Sequence, residues 1–166
     1  MEHILIPAKR AVSLAKICRK TGEILDCEIK VEGEEVMIHG NAYSEYSAKN
    51  VVQAFGRGFS MMHAYKLLDD EYFFKCIDLK DFLGSEAQIR RIKARVIGRN
   101  GKAKLYMERV SGAGISVYGN SVSMIGKSEE LGIASVALQI LIEGGTHKKA
   151  YRVMERLRRR VNKEAY

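Results

Sequence analysis

The residues whose types and spacing could do chemistry are Gly98-Arg99-Asn100-Gly101-Lys102, with Lys104 two residues on. Two glycines three apart strip the Cβ atoms from both ends of a tight corner, so another chain can approach its backbone closely. A helix starting at Lys102 would aim its first N–H groups, and the positive end of its dipole, at the same point. Arg99, Lys102 and Lys104 add cationic side chains there. Such a corner can clamp a phosphate. It can equally be a plain turn between two helices.

Helical spacing puts Ile89, Ile92 and Val96 on one face over residues 85–97, and Ala103, Tyr106, Met107 and Val110 on one face over 102–111. The corner therefore joins two helices. Ser111-Gly112 supplies a helix stop, and residues 113–126 alternate with period two around Gly119, the pattern of a β-hairpin. A strand over 72–79 precedes these elements and a helix over 128–143 follows them. The first half repeats the plan: Ile29, Val31, Gly33, Val36, Ile38 and Gly40 match Ile115, Val117, Gly119, Val122, Met124 and Gly126, a period near 86 residues. A repeat this long fits two tandem α+β modules rather than a solenoid. The expected domains are 1–70 and 71–166, with the boundary in Leu67–Glu71. In the first copy, 8–21 is too short for two helices, ends at Thr21-Gly22 and has no G-x-x-G; 44–68 reads as one continuous helix. The first module is thus a degenerate copy.

The formal charge of +8 is concentrated rather than dispersed. Residues 85–112 carry eight Lys/Arg against two Glu, and residues 146–166 again carry eight against two. Two basic blocks point to a polyanion, and in the cytosol that means nucleic acid. No apolar run reaches membrane-spanning length and the first residues lack a signal-peptide core, so a cytoplasmic location is expected. Cys18, Cys27 and Cys76 are too few and too scattered for a disulfide framework or a zinc site, and are expected to be buried, reduced thiols. The four histidines pair with no cysteine or carboxylate at ligand spacing. The sequence implies no cofactor and no metal. Asp69-Asp70-Glu71 reads as a solvated turn, the Met61-Met62 pair as core, and Gly56-Arg57-Gly58 as a site of close helix packing. Without a nucleophile and base, paired carboxylates or metal ligands, an enzyme is not expected.

Strand, helix, G-x-x-G, helix, hairpin and helix is the layout of a KH domain, whose loop grips about four nucleotides of single strand by the backbone. The expected fold class is α+β, two tandem KH-type (type I) modules, each a three-stranded antiparallel sheet packed against helices. On this layout the bases lie between helix 86–97 and the strand from Ile115 to Tyr118. The expected RNA-contacting residues are Arg95, Ile97, Gly98, Arg99, Asn100, Gly101, Lys102, Lys104, Ile115 and Val117. Residues 146–161 form a basic helix with Ala150, Val153, Met154, Leu157 and Val161 inward, which leaves Lys148, Lys149 and Arg152 for a second RNA contact, with Arg156 and Arg159 also outside.

A closer resemblance rests on L67-L-D-D-E-Y-F-F-K-C-I-D-L-K-D-F82, I97-G-R-N-G-K102, I115-S-V-Y-G-N-S-V-S-M-I-G126, Y151-R-V-M-E-R-L-R-R-R160 and A54-F-G-R-G-F59. Together these segments resemble the archaeal tandem-KH ribosome-assembly factors, relatives of the eukaryotic partner-of-Nob-one family. Ile6-Pro7-Ala8-Lys9-Arg10 also fits the family's I-P-x-x-R opening, but the glycine-bearing loop that follows in that family is missing. The resemblance implies binding to small-subunit ribosomal RNA near its 3′ end, assistance to the nuclease that trims it, and contact with the alpha subunit of translation initiation factor two. The competing class is a protein-interaction adaptor in translation initiation that meets that alpha subunit, with RNA binding secondary.

Overall fold

The period-two stretches become two hairpins, each completed to a three-stranded antiparallel sheet by a strand from earlier in the chain. The computed structural model describes residues 1–165, and the chain divides into two units, Met1–Asp70 and Glu71–Tyr166.

In the first unit, β1 (Glu2–Leu5), β2 (Cys27–Glu32) and β3 (Glu35–Gly40) lie in the order β1-β3-β2. The register sets Ile4 opposite Val36 and Ile29 opposite Ile38, so one face of the sheet is aliphatic. Against it pack Ala11 and Leu14 of α1 (Ala8–Ala15), Leu25 of α2 (Cys18–Leu25), and Val51, Val52 and Phe55 of α3 (Ala42–Gly56), all buried. Residues 8–25 therefore hold two helices rather than the single one expected. The second runs through Thr21 and Gly22 and stops only at Asp26, which takes the left-handed conformation. Gly22 does not end the helix because it is buried on β2, where a Cβ would stand 2.5 Å from the Cys27 carbonyl oxygen. Close approach overrides the helix-breaking tendency.

The expected helix over 44–68 is also interrupted. α3 ends at Gly56, Gly58 turns with a positive φ of 98°, and the chain resumes as α4 (Met61–Ala64) and a 3-10 turn over Tyr65–Leu68. The close packing expected at Gly56 is present, with Ile6 as its neighbour: an added Cβ would meet Ile6 Cγ2 at 2.5 Å. Arg10 of α1 serves the end of α3, donating to the carbonyls of Phe55 at 2.8 Å and Phe59 at 2.5 Å and lying over the Phe55 ring. The Phe55 carbonyl is in the last turn of α3, where acceptors have no partner within the helix, and Phe59 lies in the turn that follows. Met62 is 81% exposed, so the methionine pair is not core.

In the second unit the order is β4-β6-β5, with β4 Phe73–Asp78, β5 Gly114–Tyr118 and β6 Ser121–Gly126. Ile115 faces Met124, and Val117 and Ile77 flank Val122. This row is buried under α5 (Glu86–Ile97), α6 (Lys102–Ser111), α7 (Ser128–Ile142) and α8 (His147–Glu164) through Ile89, Ile92, Val96, Met107, Leu138, Leu141 and Met154. The three cysteines are free thiols but not buried ones: Cys18 and Cys27 are half-buried and Cys76 is exposed. Among the described residues no helix is long and apolar enough to cross a membrane.

Candidate nucleic-acid interface

The corner between α5 and α6 is built on left-handed backbone. Gly98 has φ 74° and ψ 176°, a region open in practice to glycine alone. Asn100 (φ 54°, ψ 30°) and Gly101 (φ 73°, ψ 10°) are left-handed as well, where asparagine is tolerated because its short amide bonds locally. Gly98 donates its N–H to Ala94 to close α5, and Gly101 donates to the Gly98 carbonyl at 3.2 Å. A Cβ on Gly98 would stand 2.5 Å from Ala103 Cβ and 2.8 Å from its nitrogen, whereas one on Gly101 would meet nothing within 4 Å. Gly98 lets α6 start against the end of α5. Gly101 leaves the outer side of the corner open.

The start of α6 also lacks the side-chain cap that α5 and α8 have. Ser85 accepts from the Gln88 N–H at the start of α5, and Thr146 from the Lys149 N–H at the start of α8. α6 has Gly101 as its N-cap, with no side-chain acceptor and no acidic residue in its first turn. Its dipole therefore meets solution at a point ringed by exposed Arg99, Asn100 and Lys102, an arrangement that attracts an anion. Ile97 is 37% exposed and Leu105 is 66% exposed, so aliphatic surface flanks the cationic corner on both helices.

β5 borders the groove as an edge strand, paired with β6 on one side only. The Ile115 N–H points away from β6 and donates to Glu108 Oε1 at 2.8 Å. By the alternation of an antiparallel ladder, the N–H and C=O of Val117 face the same open side. What β5 offers a base is therefore its backbone.

The expected contact residues divide on this geometry. Ile97, Gly98, Arg99, Asn100, Gly101 and Lys102 converge on the corner, and Lys148, Lys149 and Arg152 are exposed on α8. Lys104 stands beside the corner, but its Nζ is 3.1 Å from Glu108 Oε1, the oxygen that also receives the Ile115 N–H. Val117 is half-buried against the core. Two of the expected residues have their side chains engaged within the protein. The side chain of Ile115 is 2% exposed and belongs to the core, because its parity along β5 matches Val117 and turns it toward the helices. The guanidinium of Arg95 donates to the carbonyls of Leu141, at 3.1 Å, and of Gly145. It closes the end of α7 as Arg10 closes α3.

Arg95 and its neighbours also tie the corner to α8. The Arg95 carbonyl lies 2.7 Å from His147 Nε2, Tyr106 of α6 stacks on Tyr151 with centroids 4.2 Å apart, and the Tyr106 hydroxyl donates to Glu155. The bond to Glu155, followed by desolvation, raises the Tyr106 phenol above its usual pKa, and burial raises that of Tyr151. Two residues beside the site escaped the sequence reading. Leu105 is a leucine one step off the inward positions of α6, and Glu108 occupies the first open amide of β5; the placement of a leucine on the polar face was the only signal for either.

A family model described as the eukaryotic-type KH domain, KH-domain type I, matches residues 73–159, from the start of β4 into α8. A KH domain-containing protein of Methanocaldococcus jannaschii is 41% identical over 121 residues, covering 73% of this chain and 53% of the relative. The pre-rRNA-processing protein pno1 of Aspergillus fumigatus is 36% identical over 107 residues, 62% of this chain and 42% of the relative. The chain thus spans about half the length of the curated relatives it matches. Among solved structures, a chain in the a/eIF2alpha-aDim2p-rRNA complex of Pyrococcus horikoshii superposes with a TM-score of 0.87 at 30% identity, covering 95% of this chain and 93% of that one. The glycine corner, the edge strand and these likenesses agree: the chain belongs to the eukaryotic-type KH-domain family, KH-domain type I.

Proposed function

We propose that the chain binds single-stranded RNA in the groove of its second unit, and that its natural target is small-subunit ribosomal RNA near the 3′ end during ribosome assembly. The observation that carries this reading is the uncapped, glycine-bounded start of α6 with Arg99, Asn100 and Lys102 around it. In this reading the backbone of Gly98–Gly101 and the first amides of α6 hold phosphates, Ile97 and Leu105 give the bases an aliphatic wall, and the open edge of β5 at Val117 offers a donor and an acceptor to a base. Lys148, Lys149 and Arg152 add phosphate contacts, and Lys104 contributes where Glu108 leaves it charge to share. The KH family membership and the pre-rRNA-processing relative support the RNA and its setting. The protein then works as a binder and not a catalyst, in the cytoplasm, alongside the nuclease that trims the RNA.

A second reading keeps the groove but gives the principal contact to the alpha subunit of translation initiation factor two, with RNA secondary. It is favoured by the superposition on a complex that contains both eIF2alpha and rRNA. Fluorescence anisotropy with a labelled single-stranded oligonucleotide separates the two. Replacing Arg99 and Asn100 together by Asp puts two carboxylates where phosphates belong. Affinity should fall at least about tenfold, roughly 1.4 kcal/mol, with the circular-dichroism spectrum and melting temperature unchanged. Affinity within twofold of wild type in a folded protein would reduce the corner to a turn.

A further inference from the structure

From the geometry of α8 we infer a second RNA surface that takes the phosphate backbone of a paired stem, so that the protein holds a junction between single and double strand. This rests on the reading of the glycine corner given above. Lys148, Arg152, Arg156, Arg159 and Lys163 follow one another at spacings of four, four, three and four residues, which puts them on a single stripe. All five are exposed, and the stripe lies opposite the face that buries Ala150 and Met154. It runs for about 22 Å at 1.5 Å per residue, with a cation about every 6 Å.

The stripe is uncompensated. Like charges three and four residues apart repel on a helix, yet among the described residues none of these five forms an ion pair. Glu155, the acid within reach of Arg152 and Arg159, accepts from the Tyr106 hydroxyl. Lys148 and Lys149 sit in the first turn, where the helix dipole disfavours cations and where no acid is present. An external row of anions relieves each of these conflicts.

The straightness of the row identifies the strand type. Among the described residues it carries no ring on which a base could stack, and its five cations lie along one rigid helix. The nearby rings of Tyr106 and His147 each pack at a tilt against Tyr151, and Arg109 lies over Tyr106. A straight, ring-free cation row suits a helix whose bases are already paired and whose phosphates face outward. Its position relative to the corner is fixed, because Arg95, two residues before Ile97, bonds the turn into α8 and His147 bonds back to Arg95.

The test compares three RNAs against the full chain: a single-stranded oligonucleotide, a blunt duplex, and a hairpin carrying that single strand as a tail on either end. Wild type should bind one of the tailed hairpins about tenfold more tightly than the single strand. R156Q/R159Q/K163Q should erase that gain, flatten the salt dependence on the hairpin by about 2.7 log units per log unit, and leave single-strand affinity within twofold. Equal losses on hairpin and single strand would overturn the stem assignment in favour of a longer single-strand track. No loss on either would make the stripe a solvated face. The Arg99/Asn100 double Asp variant must weaken the single strand; if it does not, the corner reading fails, whatever the stripe variant does to the hairpin.

Discussion

Between its first two helices the first unit uses Lys16 and Ile17, whereas the second uses Gly98 to Gly101. Ile17 turns the chain at φ −124° and ψ 2° and Lys16 stays helical, so neither needs a special residue. The second corner instead spends three successive or near-successive left-handed residues to open a backbone face at the start of α6. The units otherwise share a plan, with the same strand order and an arginine from the first helix bonded to the end of the third. Their charges diverge with their corners. Met1–Asp70 holds 9 Lys/Arg against 10 Asp/Glu, and the remainder of the chain holds 19 against 10. One fold can thus be kept for packing while the strained corner and the cations that use it are confined to one copy.

The largest effects are expected at the glycines. Gly98→Ala forces a side chain into a region reserved for glycine and against the Ala103 backbone; strain and overpacking together should cost about 3 kcal/mol or more in urea unfolding. A cost under about 1 kcal/mol would mean that the corner is not held in this conformation. In the first unit the critical glycine is inside a helix. Gly22→Ala gains helix propensity but drives a Cβ onto the Cys27 carbonyl, and a net loss of about 2 kcal/mol is expected; a gain in stability would show that α2 does not seat on β2 as described. Gly101→Ala should be milder, about 1 kcal/mol, because only the left-handed backbone opposes it. Thr146→Ala, which removes the cap of α8, should also cost about 1 kcal/mol, and its measurement is sharpened by using S85A as the matched control at α5.

Much of this was legible in the sequence because it depends on local chemistry. The hairpins follow from period two around Gly33 and Gly119, and α5 and α6 follow from Ile89-Ile92-Val96 and Ala103-Met107-Val110. What was hidden depends on partners distant in the chain. Gly22 reads as a helix stop until the Cys27 carbonyl is placed beneath it. Arg95 reads as a free cation of the basic block, since nothing local reveals that carbonyls 46 and 50 residues later will claim it. Ile115 could be assigned to the groove because period two gives two faces without saying which is buried.

Amide chemical-shift mapping on the full chain, titrated with a short single-stranded RNA, tests the central claim most directly because it reports on the backbone of both corners at once. Saturable shifts are expected at Gly98 to Leu105 and at Val117, with Lys16 to Cys18 unmoved. Equal shifts at the two corners, or shifts confined to the first unit, would contradict that claim.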